Sequence, residues 1–149
     1  MKIYKKMKTS LVITLKNEES TILELLGSIV VQSKKPDELV IVDGGSVDKT
    51  VDIIKNYMHN KKIPTRILVK KNKNIARGRN IEIINANSKM ISFLDSDAYA
   101  HNTWIEKIIE RFEKDKSIFL IGGKFNPAYK NNFSKAISIS DETIRLFCL

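Results

Sequence analysis

A chain of 149 residues, 42% hydrophobic and 29% charged, has room for one domain with a real core and is short for two. Three prolines and six glycines exclude a collagen-like or low-complexity chain, and the single cysteine, Cys148, excludes an intrachain disulfide or a cysteine-based zinc site and fits a reducing compartment. The formal net charge of +9 leaves nucleic acid, an anionic membrane surface and a phosphate-rich ligand all open, because the basic residues are spread along the chain.

The basic start MKIYKKMK is followed only by the apolar run Leu11 to Leu15 before Lys16, too brief for a secretory core, and no stretch nears the length of a membrane span. The expected location is the cytoplasm, with peripheral attachment to the inner face of the cell membrane left open by the charge. SLVITL at 10–15 predicts a buried strand, and Ile22, Leu25, Leu26, Ile29 and Val30 then recur at helical spacing, with Thr21 and Glu24 set as a capping box. ELVIV at 38–42 predicts a second strand, DGGS a turn, and Val47, Val51, Ile54 and Met58 a helical stripe with Ser46 as its N-cap. TRILVK at 65–70 gives a third strand, followed by a helical segment over 75–87 whose stripe Arg77 and Arg79 interrupt. MISFL at 90–94 is the fourth strand; Thr103 and Glu106 then cap a helix with Trp104, Ile105, Ile108, Ile109 and Phe112 on one apolar face. SIFLIGG at 117–123 is the fifth strand, KFNPAYKNNFSKA a polar connection, and ISISDETIRLFCL opens another element. Continuous apolar strands alternating with amphipathic helices predict an α/β fold with a doubly wound, mostly parallel sheet, in a single domain over 1–149 that is incomplete at its carboxyl end.

Ligands of such sheets sit beyond the carboxyl ends of the strands, where loops converge and helix amino termini offer free N–H groups. Collected there are Asn17 and Glu18, then Asp43, Gly44, Gly45 and Ser46, then Asn74, Arg77 and Arg79, and finally Asp95 and Asp97. In extended backbone, residues two apart share a face, so Asp95 and Asp97 point to one site and Ser96 away. Two close carboxylates stay ionised together only beside a cation, and Mg2+ or Mn2+, held by one or two carboxylates plus substrate phosphates, fits best. The alternative is a polar turn whose aspartates cap the next helix. DGGSVDKT is likewise either a tight turn and cap, or a place where a ligand approaches glycine backbone while Asp43 accepts hydrogen bonds from a base or ribose. It is neither G-x-x-x-x-G-K-[ST] nor G-x-G-x-x-G, which weakens the NTPase and dehydrogenase readings. Arg77 and Arg79 are solvated helix charges or hold a diphosphate; His59 and His101 lack ligand spacing.

Together these residues resemble the family 2 nucleotide-sugar glycosyltransferases with the GT-A fold. TLKNEESTILELLGSIVVQSKKPDELVIVDGGSVDKTVDII is similar to that family's opening, which has a strand ending in T-x-x-N-E, an S-I-x-x-Q before P-D-E, then V-D-D-G-S-x-D-x-T. NIARGRNIEIINA resembles its A-R-N helix segment, and ISFLDSDAYAHNTWIEKII its D-x-D strand and following helix. The resemblance runs from Ser10 to Gly123 and implies a donor-binding half over about 9–123, with the start of an acceptor-side region over 124–149. It implies that Thr14, Asn17, Glu18 and Gly45 edge the nucleotide pocket and that Asp43 contacts the base or ribose. Arg77 or Arg79 would approach the nucleotide, Asp95 would meet the ribose or the metal, and Asp97 would coordinate Mn2+ or Mg2+ against the diphosphate. Gly44 stands where the family's pattern has a second aspartate, which leaves the nucleotide open. The family's general base lies well downstream of the D-x-D, and Asp141 and Glu142 are the only late acids.

The activity so implied is transfer of a sugar, with inversion, from a nucleotide-diphosphate sugar to a hydroxyl of a glycan, lipid or protein acceptor, as in cell-envelope polysaccharide synthesis. One alternative is a truncated or inactive nucleotide-sugar-binding module without turnover. Another is a basic nucleic-acid binder, against which the lack of aromatic interleaving or a recognition helix counts; no nucleic acid partner is expected.

Overall fold

The computed structural model of the chain describes residues 7–70 and 75–123. In chain order it forms β1 (Thr9–Leu15), α1 (Ile22–Val30), β2 (Glu38–Asp43), α2 (Thr50–Met58), β3 (Thr65–Val69), α3 (Ile75–Asn85), β4 (Met90–Phe93) and α4 (Trp104–Lys114). The strands make one sheet in the order β3-β2-β1-β4, every pair parallel. The chain divides into two compact units, residues 1–109 and 110–149.

The first unit holds the sheet, and alternation along its two inner strands explains the apolar runs at 11–13 and 39–42. Leu11, Ile13 and Leu15 of β1 and Leu39 and Ile41 of β2 join Ile22, Leu25, Leu26 and Ile29 of α1 and Ile54 and Met58 of α2 in one buried cluster. The residues between them face the opposite side, where α3 packs on β1 and β2. Each fully buried Leu or Ile there contributes about 1.5–3 kcal/mol, and the two-sided demand leaves no polar gap between 39 and 42. β3 carries only partly buried or exposed residues, as a strand with a single described neighbour does.

At the amino end of the sheet a carboxylate ties four segments together. Glu38 accepts bonds from Ser10 Oγ (2.5 Å), from the Asn87 N–H (2.6 Å) and Nδ2 (2.9 Å), and from Arg66 Nη2 (3.0 Å). Burial pushes its pKa up, but the bonds from Ser10, Asn87 and Arg66 outweigh that and hold it below the ordinary glutamate value.

Two predicted caps are not made. Thr21 precedes α1 without a side-chain cap, because its hydroxyl turns back to Glu18 Oε2 (2.7 Å), while Glu24 accepts from the Tyr99 hydroxyl (2.6 Å). Ser46 does not cap α2, which begins at Thr50; its hydroxyl donates to Asp43 (2.5 Å), and Val47 is 91% exposed instead of lying in the helical stripe. In the first turn of α4, Glu106 accepts from the Ser33 hydroxyl (2.7 Å). Thr21 and Ser46 are taken by carboxylates three residues earlier, and Glu24 and Glu106 by hydroxyls distant in sequence.

Of the second unit, residues 110–123 are described. They comprise the end of α4 and a segment in which Asp115 Oδ1 accepts from the Ser117 N–H (2.9 Å) and hydroxyl (2.6 Å). The predicted fifth strand is absent from 117–123, and Phe119 and Leu120 are exposed. An apolar run becomes a strand only by pairing, and local bonding at Ser117 bends the chain instead.

Candidate functional site

The parallel register sets the strand ends level: Leu15 lies opposite Asp43, and Asp43 opposite Val69. From β1 the chain winds outward through α1 to β2 and α2 to β3, then returns through α3 to β4 on the other flank of β1. In such sheets the point of reversal, here between the loops that follow β1 and β4, is where a ligand crevice forms.

The loops after β1 and β2 are laced to each other. Asn17 sits at φ 56°, a left-handed conformation asparagine tolerates. Its N–H donates to Ser46 Oγ (2.8 Å) and its Oδ1 accepts from the Val47 N–H (3.0 Å). The Glu18 N–H donates to Thr50 Oγ1 (2.8 Å), and the Gly44 N–H to the Leu15 carbonyl (2.9 Å). Asp43, 0% exposed, accepts from the Gly45 N–H (3.1 Å), the Ser46 N–H (3.0 Å) and the Ser46 hydroxyl. Gly45, at φ 91°, has a conformation that favours glycine. In this arrangement the Asp43 carboxylate serves its own loop.

The D-x-D segment lies just past β4, but not in extended backbone. Leu94 still donates to Val12 O (3.2 Å); then the Ala98 N–H bonds to Asp95 O (3.1 Å), closing a turn over 95–98. The expectation that Ser96 points away is therefore corrected: its hydroxyl donates to Glu18 Oε1 (2.9 Å), joining the β4 loop to the β1 loop. Asp95 and Asp97 are both exposed, and Asp95 Oδ1 accepts from Arg79 Nη2 at 2.7 Å. Arg77 is exposed two positions earlier on α3, a spacing that turns the two arginines to different sides.

Three residues with no assigned role hold this arrangement. Gly78 lets α3 rest on β1, since a Cβ there would stand 2.7 Å from Thr14 Cγ2. Glu82, 1% exposed, accepts from Thr14 Oγ1 (2.7 Å), and burial pushes its carboxyl up to about 7, against the opposing effects of the Thr14 bond and the Arg79 charge. Gln32 donates to the carbonyls of Ser28 (3.1 Å) and His101 (2.7 Å) and accepts from the Ile105 N–H (3.2 Å), pinning the chain beyond Asp97 to α1. A glycine inside a helical pattern, with a glutamate four residues on along the same face, is the signal for the first two.

Thr14, Asn17, Glu18, Gly45, Arg79, Asp95 and Asp97 thus lie at one end of the sheet. Asn74, Asp141 and Glu142 lie outside the described residues. A cleft of about 370 Å3 lined by Met58, His59, Ile63 and Thr65 is at the opposite, amino end of β3. Among the described residues no three His, Cys, Asp or Glu side chains form a ready metal cage, and no helix is long and apolar enough to cross a membrane.

Residues 10–146 match the family described as Glycosyl transferase family 2. An uncharacterised glycosyltransferase of Rickettsia felis is 34% identical over 75% of this chain, a match spanning 18% of the relative. The UDP-Glc:alpha-D-GlcNAc-diphosphoundecaprenol beta-1,3-glucosyltransferase WfaP of Escherichia coli is 36% identical over 74% of the chain and 43% of its own length. The crystal structure of Staphylococcus aureus TarS 1-349 in complex with UDP-GlcNAc superposes with a TM-score of 0.66 at 27% identity, covering 72% of this chain and 32% of that one. The chain therefore spans less than half the length of each.

Proposed function

The chain belongs to glycosyl transferase family 2, and from that premise we propose that it binds a nucleotide-diphosphate sugar at the β1–β4 crevice for transfer, with inversion, to an acceptor hydroxyl. The observation that carries the reading is the meeting of Arg79 and Asp95 at 2.7 Å, a cation on α3 and a carboxylate on the loop after β4 brought to the sheet end where the winding reverses.

Each part has a physical role. Arg79, with a planar multi-donor head, suits the diphosphate oxygens. The glycine loop, held by Asp43, presents backbone close to the β1 loop, where the nucleoside would lie along Asn17 and Glu18. Asp95 and Asp97 would supply carboxylate oxygens of the kind that hold Mg2+ or Mn2+ beside a diphosphate. When bound, such a cation offsets charge on the departing diphosphate. Asp141 and Glu142 remain the candidates in this chain for the base that takes the acceptor proton.

The superposition with TarS holding UDP-GlcNAc makes uridine the first nucleotide to test. The similarity to WfaP, named for a diphosphoundecaprenol acceptor, makes a lipid-linked acceptor at a membrane surface the first acceptor class. Calorimetric titration with UDP, GDP and TDP, each with and without Mn2+, tests the donor half. One nucleotide is expected to bind in a metal-dependent way and to lose that dependence in Asp97→Ala; binding indifferent to both metal and mutation would sink the proposal.

A further inference from the structure

Gly78 and Glu82 lie on the face of α3 that rests on β1. With the would-be Cβ of Gly78 2.7 Å from Thr14 Cγ2 and 2.9 Å from its Oγ1, helix backbone itself meets the strand side chain. One turn on, the buried Glu82 carboxyl takes the Thr14 hydroxyl at 2.7 Å. Arg79, adjacent to Gly78, reaches in the other direction to Asp95, also at 2.7 Å. One helix therefore touches the candidate donor site through Arg79 and is fastened to the sheet beneath it through Glu82.

An apolar residue at 82 would fill that interface without the cost of burying a carboxyl group. Apolar packing is non-directional, however, and would leave α3 free to rotate or slide on β1, whereas a short hydrogen bond fixes both. A shift of one ångström at Gly78 is carried to the Arg79 head, where ligand geometry is demanding.

We propose that Glu82 is a positioning residue of the donor site: its bond to Thr14 fixes α3 on β1 and so delivers Arg79 to the Asp95 end of the crevice, where Arg79 meets the donor diphosphate. This rests on the donor-site reading, and the two are separable by experiment. The chain is titrated with UDP, GDP and TDP in the presence of Mn2+, with thermal unfolding in parallel, as wild type, Glu82→Ala, Glu82→Gln, Thr14→Val and the Thr14→Val/Glu82→Ala double variant. For the nucleotide the wild type binds, Glu82→Ala and Thr14→Val each weaken affinity about five- to tenfold, the size of one lost hydrogen bond. The double variant loses no more than either single one, and Glu82→Gln, which keeps an acceptor for Thr14, stays within about twofold of wild type. In an Arg79→Ala background Glu82→Ala has no further effect on affinity. Thr14→Val preserves shape and keeps the test open if Glu82→Ala does not fold. A lowered melting temperature with unchanged affinity of the folded protein, or additive losses in the double variant, overturns the positioning role and leaves the donor site standing. No binding of any of the three nucleotides by the wild type overturns both.

Discussion

Arg79 and Asp95 form an ion pair on side chains 47% and 69% exposed, so water screens it and its contribution to stability is about 0–1 kcal/mol. Arg79→Ala should accordingly leave the melting temperature nearly unchanged while weakening nucleoside diphosphate binding about tenfold or more, as loss of a charge-assisted bond would. Glu82 behaves in the opposite way. Its folded pKa, about 7, lies above the ordinary 4.5 through burial, opposed by the Thr14 bond and Arg79 and reinforced by Asp95. The folded state therefore holds the proton more tightly than the unfolded one, and stability falls as pH rises from about 4.5 through 7. Glu82→Gln should remove that fall, so its melting-temperature advantage over wild type grows across this window and levels off above it. The residue types at the site were legible in the sequence because they follow apolar runs. Their orientations were not, since the two-apart rule for Asp95 and Asp97 assumes extended backbone and the chain turns there.

At the scale of elements, β1 and β2 were readable because strands buried on both faces carry unbroken apolar runs, and the less buried β3 and β4 because they keep shorter ones. The helix starts were less so: Thr21 and Ser46 are suitable caps, yet each bonds a carboxylate three residues earlier, and Glu106 is claimed by Ser33 from the segment after α1. α3 was the hardest to read, since its buried face carries a glycine and a glutamate in place of a leucine stripe. Gly78→Ala should push α3 off β1; relieving a 2.7 Å approach costs about 1–3 kcal/mol, visible as a lower denaturant midpoint together with weaker nucleotide binding. Gln32→Leu keeps the volume but strands the Ile105 N–H and the carbonyls of Ser28 and His101, a loss of about 1–3 kcal/mol. Faster amide exchange over 100–105 would show that the segment beyond the D-x-D has come loose.

Across the whole molecule, the sheet separates a structural end from a candidate working end. At the amino end Glu38 joins β1, β2, β3 and the chain before β4 in one hydrogen-bonded hub. Because its folded pKa is depressed, the stability it contributes is present above the ordinary 4.5 and is lost as pH falls below it. Glu38→Gln should thus cost most near neutrality and converge with wild type in acid. At the carboxyl end the loops of β1, β2 and β4 and the start of α3 converge. The central claim is that this end holds a nucleoside diphosphate and a cation. The most direct measurement is anomalous diffraction at the manganese edge from crystals of the chain grown with UDP and Mn2+. The account predicts a metal peak within bonding distance of Asp97, with the diphosphate beside Arg79; a nucleotide bound instead in the Met58–Thr65 cleft, or a metal peak away from Asp95 and Asp97, would contradict it.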